Sequence, residues 1–309
     1  MPRILLAAGA VLLLVAAVLA VLPRHHGSHP AGSVTVSIPA HTTTTAPATT
    51  TTAAPPPPTT TAPPSTVPFS WDDAGGLVVH TDSVDPAQLG QEMRGAGFGW
   101  LAVDIANLDP NWIARFRTAS GLPVGGWSVL QDDPPTDASA AAQAVTQNSL
   151  AFYIADAEQP YAYTQGASRS DAGYAASKQF VTAFRAAEPS LPAAVSSFCR
   201  PDQHDLNWSA WVNGDFDFLP QAYVNDFGMR VSPASCVLGA AKWFPLARVH
   251  PTVGSYSGLR GIVPPARWIA LLRAAHTTGF SIYPAEAGMS PESWQAYGAA
   301  LPALAHAVR

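Results

Sequence analysis

"DPAQLGQEMRGAGFGWLAVDIANLDPNWIARFRTASGLPVGGWSVL", residues 85–130, is the stretch that decides the fold. Asp85-Pro86 pairs a helix N-cap with a residue whose fixed φ suits the first helical turn, and Gly97 supplies a stop. An apolar strand, "FGWLAVDIAN" (98–107), follows. The chain then repeats the sentence: Asp109-Pro110 starts a helix, Gly121 ends it, and "LPVGGWSVLQ" (122–131) is another strand. Two consecutive helix–strand units with the same punctuation imply a repeating β–α architecture.

The rhythm continues in both directions. "GLVVHTDS" (76–83) is a strand before the quoted stretch. After it come helices at 137–149 and 170–190 around a strand at 150–158, then strands at 191–199, 216–226, 249–258 and 280–288. A helical turn at 205–214, helices at 233–244 and 264–279, and a closing helix from 290 separate and follow them. Strict alternation demands a parallel sheet with right-handed crossovers. Eight units in about 240 residues match a closed α/β (β/α)8 TIM barrel spanning residues 68–309. An open doubly wound sheet has the same alternation, but no Gly-x-Gly-x-x-Gly follows any strand, so dinucleotide binding has no support.

The remaining N-terminal part has a different character. Residues 4–22, "ILLAAGAVLLLVAAVLAVL", are uncharged and apolar, near the ~20 residues that cross a bilayer as a helix. We expect residues 1–24 to be an export segment. Two fates are open: cleavage near Val18-Leu19-Ala20, or retention as a membrane anchor. Residues 25–67 are rich in Thr and Pro and cannot bury apolar area, so a disordered linker is expected there. Together these place the barrel outside the cytoplasm, secreted or anchored in the cell envelope.

Net charge is −5, only 12% of residues are charged, and no basic stretch stands out. Nucleic acid is therefore not an expected partner. The histidines are scattered and no Cys/His spacing suits zinc, so no metal or other cofactor is expected. The two cysteines, Cys199 and Cys236, form either a disulfide or a pair of buried thiols. Export and an even count favour the bridge. Both fall at loop-like positions. The expected state is a monomer.

A barrel of this kind keeps its site at the C-terminal ends of the strands. Standing there are Asp82, Asp104, Trp127, Asp156, Glu158, Gln221, Tyr223, Asn225, Tyr256 and Glu286. Asp82, Asp104 and Glu286 lie close to a following helix and serve equally well as caps. Asp156 and Glu158 are different. Alternation along a strand puts Phe152, Ile154, Asp156 and Glu158 on one face, apolar low in the barrel and acidic at its mouth. Two like carboxylates so close cannot both ionise freely, so one holds its proton to higher pH. A protonated acid beside a charged one is what glycosidic bond cleavage requires, and nearby aromatics suit sugar faces. No Gly-x-Ser-x-Gly occurs to support a serine hydrolase.

The pair also carries a resemblance. Asp156-Ala157-Glu158 resembles the Asp-x-Glu at the end of strand four in glycoside hydrolase family 25 lysozymes, and the tail of the longer family 18 chitinase motif. "FLPQAYVND" (218–226) is similar to the strand that presents a Tyr toward the sugar in those enzymes. The whole barrel resembles a branch of such proteins in high-GC bacteria and their phages. Two departures stand out: Ile154 replaces the upstream aspartate of the chitinase motif, and strand one carries only "HTDSVD" (80–85). The resemblance implies a lysozyme- or muramidase-like glycosidase acting on cell-wall polysaccharide, with Glu158 as general acid and Asp156 beside it. It also implies that Tyr223 orients a 2-acetamido group. The alternatives are a carbohydrate-binding barrel without turnover and a structural envelope barrel on a stalk.

Overall fold

The computed structural model describes residues 66–306 apart from 132, 159–160, 162, 165–170, 202–203 and 288. The segment expected at 1–24 and nearly all of the linker expected at 25–67 fall outside the described residues. Eight parallel strands close into a barrel: β1 (Gly75–Val78), β2 (Trp100–Asp104), β3 (Val124–Val129), β4 (Tyr153–Asp156), β5 (Ala193–Phe198), β6 (Phe216–Gln221), β7 (Thr252–Gly254) and β8 (Ser281–Tyr283). Consecutive strands are neighbours, and β8 pairs with β1 to close the ring. This is the (β/α)8 TIM barrel expected from the sequence. Helices between the strands form the outer layer. A small antiparallel ribbon, 163–164 with 204–205, links the loops that follow β4 and β5. Among the described residues no helix is long and apolar enough to cross a membrane.

The helix starts follow the sequence signal. Asp85 accepts hydrogen bonds from the Ala87 and Gln88 amides, and Asp109 from the Asn111 amide. The third helix begins at Pro134, not at Asp137 as expected, because Asp133-Pro134 is a further Asp-Pro start, with Asp133 capping the Thr136 amide. Gly279 was expected to end the helix at 264–279. That helix stops at Ala275 with His276 left-handed, and Gly279 serves another purpose: a Cβ there would sit 2.0 Å from the Trp71 carbonyl oxygen.

Trp71 belongs to a segment that plugs the bottom of the barrel. Phe69 stacks on Phe152 at 4.2 Å, and Trp71 meets Phe152 and Trp100 edge-on at 5.2 and 5.5 Å. Leu77, Trp127, Ile154 and Leu219 complete this dry interior. Gly125 makes room for it, since a Cβ at that position would lie 2.3 Å from the Phe152 ring. The interior is thus filled by side chains, as in other barrels of this size.

Cys199 and Cys236 are disulfide-bonded, with Cα atoms 4.9 Å apart. Cys199 follows β5. Cys236 lies within the helix Pro233–Ala240, not in a loop, and both are fully buried. The helix carries Cys236 because Ser232 caps it through the Ser235 amide and Pro233 starts it.

The bridge closes a 37-residue separation, so reduction is expected to lower stability by about 4 kcal/mol in the chain-entropy view. Denaturation with and without reductant reads that loss, and mass spectrometry of non-reduced protein should show no alkylatable thiol. Trp71→Ala should cost about 3 kcal/mol by emptying the plug. A chain starting at Pro68, which keeps the plug, should still melt cooperatively.

Candidate active site

The inward face of β4 runs from Phe152 and Ile154 to Asp156, with Glu158 two residues beyond the strand. Asp156 pairs in register with Ser196 on β5, and Phe198 on β5 with Gln221 on β6. Three neighbouring strands therefore deliver Asp156, Ser196 and Gln221 to one patch of the barrel mouth. The Gln221 amide Nε2 donates to Asp156 Oδ1 at 2.8 Å and lies 3.4 Å from Ser196 Oγ. Gln221 also opposes the upward shift of Glu158, so the same amide acts on both acids.

Burial above the aromatic interior sets the electrostatics. Desolvation pushes Asp156 up to about 7, against the opposing pull of its hydrogen bonds from Ser196 and Gln221. Glu158 is pushed up to about 8, by desolvation first and then by the Asp156 charge. Both causes favour the neutral acid. Near neutral pH the pair therefore holds a proton that an ordinary carboxylate pair would have lost.

Tyrosines wall the acids. Tyr283 stacks on Tyr223 at 5.8 Å and meets Tyr256 edge-on at 6.2 Å and Trp127 edge-on at 5.9 Å. Burial holds all three phenols protonated, with Tyr283 pushed up to about 12 and Tyr223 well above its ordinary range. The Asp156 charge adds to the effect at Tyr223 and Tyr283, so their rings lie within its field.

The other sequence candidates divide. Trp127 is buried, and its indole N–H donates to the Val78 carbonyl at 3.0 Å, so it forms the floor beneath Tyr283. Tyr223 and Asn225 were expected on strand six. The strand ends at Gln221, and Tyr223 caps the short helix Val224–Phe227 that contains Asn225. Asn225 is fully buried and donates to the Tyr256 carbonyl at 3.1 Å, which braces the tyrosine wall from behind. Asp104 accepts from the Ala106 amide and from Asn107, the capping role weighed for it. Glu286 Oε1 accepts from the Val79 and His80 amides at 2.8 and 3.0 Å, tying the end of β8 to that of β1. Asp82 sits exposed in a 3-10 turn, apart from the cluster.

Two residues of the site escaped the sequence reading, Ser196 and Tyr283. Each had a signal. Both sit on strand positions that alternate with inward residues, Ala194 for the one and Ser281 for the other. A cleft of about 310 Å³ opens at the opposite end of the barrel beside Trp71, Asp217 and His250. Asp217 there accepts from Arg248 at 2.8 Å and lies 3.2 Å from His250, an ion-paired seam under β6 and β7. It is remote from the carboxylate pair. Among the described residues no group of three His, Cys, Asp or Glu side chains is placed to hold a metal ion.

The chain matches no protein family and no curated protein. Its structure is similar to solved barrels. One is a GH18 chitinase from Pseudoalteromonas aurantia, 13% identical with a TM-score of 0.53, covering 74% of this chain and 100% of the chitinase. Another is a GH18 chitinase from Cycas revoluta in complex with (GlcNAc)3, 9% identical with a TM-score of 0.54, covering 75% and 98%. The galactosidase domain of an alpha-galactosidase–sucrose kinase is 10% identical with a TM-score of 0.50, over 75% of this chain and 40% of that one. These likenesses establish the barrel, and a barrel alone does not choose a reaction.

The raised carboxyl groups carry a signed consequence for stability. The folded protein keeps these protons to higher pH than the unfolded chain, whose carboxyls titrate near 4. Stability should therefore fall as pH rises from about 4 through about 8. A thermal midpoint measured across that range should decline in the wild type. The decline should flatten in Asp156→Asn/Glu158→Gln, whose amides do not titrate.

Proposed function

We propose that this chain is an extracytoplasmic glycoside hydrolase-like barrel acting on peptidoglycan or a related polysaccharide. Residues 1–24 would direct export and 25–67 would space the barrel from the membrane. The observation that carries the reading is the acid pair at the end of β4: two desolvated carboxyls two residues apart, with Gln221 bonded to Asp156 and a cluster of tyrosines in the field of the pair. Fold likeness to chitinases is consistent with it but rests on the barrel alone.

In this reading Glu158 is protonated and Asp156 carries the charge that keeps it so. Glu158 donates its proton to the glycosidic oxygen as the bond to the anomeric carbon breaks. The resemblance of the segment carrying Tyr223 suggests that Tyr223 orients a 2-acetamido group. The carbonyl oxygen of that group bonds to the anomeric carbon as the leaving group departs. Water then attacks that carbon, giving its proton back to the Glu158 carboxylate, and the acetamido group is released. This route needs no second free carboxylate, which suits the geometry: Asp104 and Glu286 are already committed to backbone amides.

One observation favours the binding-barrel alternative. Ile154 stands where the chitinase motif has an aspartate, so the acid pair lacks a third partner below it.

Purified protein assayed on cell walls for new reducing ends separates the two. Wild type should cleave, and Glu158→Gln should lose about 10²–10⁴ of the rate, the usual contribution of a general acid. Asp156→Asn should slow turnover and move the alkaline limb of the pH profile to lower pH, because Glu158 loses the charge that raises it. Equal cleavage by wild type and Glu158→Gln would remove the assignment. Glycan binding without cleavage by wild type would favour the binding barrel.

A further inference from the structure

Beside the mouth, the loops after β6 and β7 meet in a fixed corner. The loop after β7 makes a tight turn, Gly258 and Gly261 bonding each other, with Leu259 and Arg260 at its tip. The Arg260 amide donates to the Asn225 carbonyl at 2.7 Å, and the Leu259 amide to Asp226 Oδ1 at 2.9 Å. Asp226 also accepts from the Tyr256 hydroxyl, so the corner is continuous with the tyrosine wall.

Three arginines stand on or against the segment Gly228–Val231. Arg260 lies over Gly228, its Nε 3.1 Å from where a Cβ would stand. Arg267 Nη2 is 3.8 Å from Met229 Sδ. Arg230 is exposed in the 3-10 turn Met229–Val231. None of the three pairs with a carboxylate among the described residues, and the nearest acid, Asp226, is already used. Met229, Leu259 and Ile262 are more than half exposed beside them. Unpaired arginines on a chain of net charge −5 are a local reversal of sign. At the mouth itself, carboxylates such as Asp156 would repel an anionic chain that had no compensating charge further out.

We propose that this corner is a subsite for the carboxylate groups of an anionic glycan where it leaves the barrel mouth. Arg230, Arg260 and Arg267 meet the carboxylates, and Met229, Leu259 and Ile262 meet adjoining alkyl groups. The proposal rests on the reading of the mouth as a glycan site. It narrows the substrate class from any 2-acetamido polysaccharide to one bearing acid side groups. Because its tip is held by backbone hydrogen bonds, the corner presents its arginines with little ordering cost.

Full-length protein carrying Glu158→Gln, which stops turnover, provides the test. It is titrated with soluble peptidoglycan fragments, with the same fragments after carbodiimide amidation of their carboxyls, and with chitohexaose. Amidation should weaken binding about tenfold or more, in line with several exposed ion pairs. Adding Arg230→Gln, Arg260→Gln and Arg267→Gln should weaken binding to the native fragments by a similar factor and leave chitohexaose unchanged. The amidation arm needs no arginine variant, so a folding defect in the multiple variant does not hide the answer. Equal binding of native and amidated fragments, with chitohexaose also bound, would overturn this inference alone. Binding of neither glycan would overturn the reading of the mouth and this inference with it. If the arginine substitutions abolish binding to phosphatidylglycerol vesicles but not to fragments, the corner faces a membrane and the proposal fails.

Discussion

The filled interior of the barrel is the constraint on which the site depends. Eight short parallel strands enclose a space that must be packed, and here large aromatics pack it from below. Phe69 and Trp71 arrive from outside the barrel and interlock with Trp100 and Phe152, while Trp127 and Ile154 cover them. Above this aromatic packing stands the acid pair at the mouth. The acids that stand there rest on a dry floor, and that floor is the first cause of their raised proton affinity. The charge of one on the other is the second. A site built on water-filled space would have neither.

The floor also explains why so many polar groups at the mouth serve geometry. Gln221 braces Asp156, Asn225 braces the loop behind Tyr256, and Glu286 joins the last strand to the first. Each of these satisfies groups that barrel closure leaves near the end of the strands. The groups around the mouth are few: the Asp156–Glu158 pair, the rings of Tyr223, Tyr256 and Tyr283, and the arginines of the corner beside them. On the proposed reading, the acid pair at the centre and the positive charge at the rim would together suit an acidic polymer.

Much of this was legible in the sequence because it is local. Asp-Pro starts and alternating segments mark the units, and all eight strands fall where the alternation put them. Asp156 stands at the mouth end of β4, where the alternation put it, while the strand stops before Glu158. The failures lie where distant contacts decide. Strand six stops at Gln221, and Tyr223 and Asn225 belong to the start of a short helix that follows it. Gly279 reads as a helix stop, yet its reason is the passage of Trp71, more than two hundred residues away in sequence. Tyr283 gains its place only when β8 closes on β1 and brings it against Trp127 and Tyr223.

The central claim is that the barrel interior and the paired charge hold a proton on the Asp156–Glu158 pair near neutral pH. Carbon-13 NMR of the carboxyl groups, titrated in wild type and in Asp156→Asn, reads this directly. The account predicts that the Glu158 carboxyl titrates near 8 in the wild type and at lower pH once Asp156 is neutral. A Glu158 carboxyl that titrates near the ordinary ~4.3 in both proteins would contradict it.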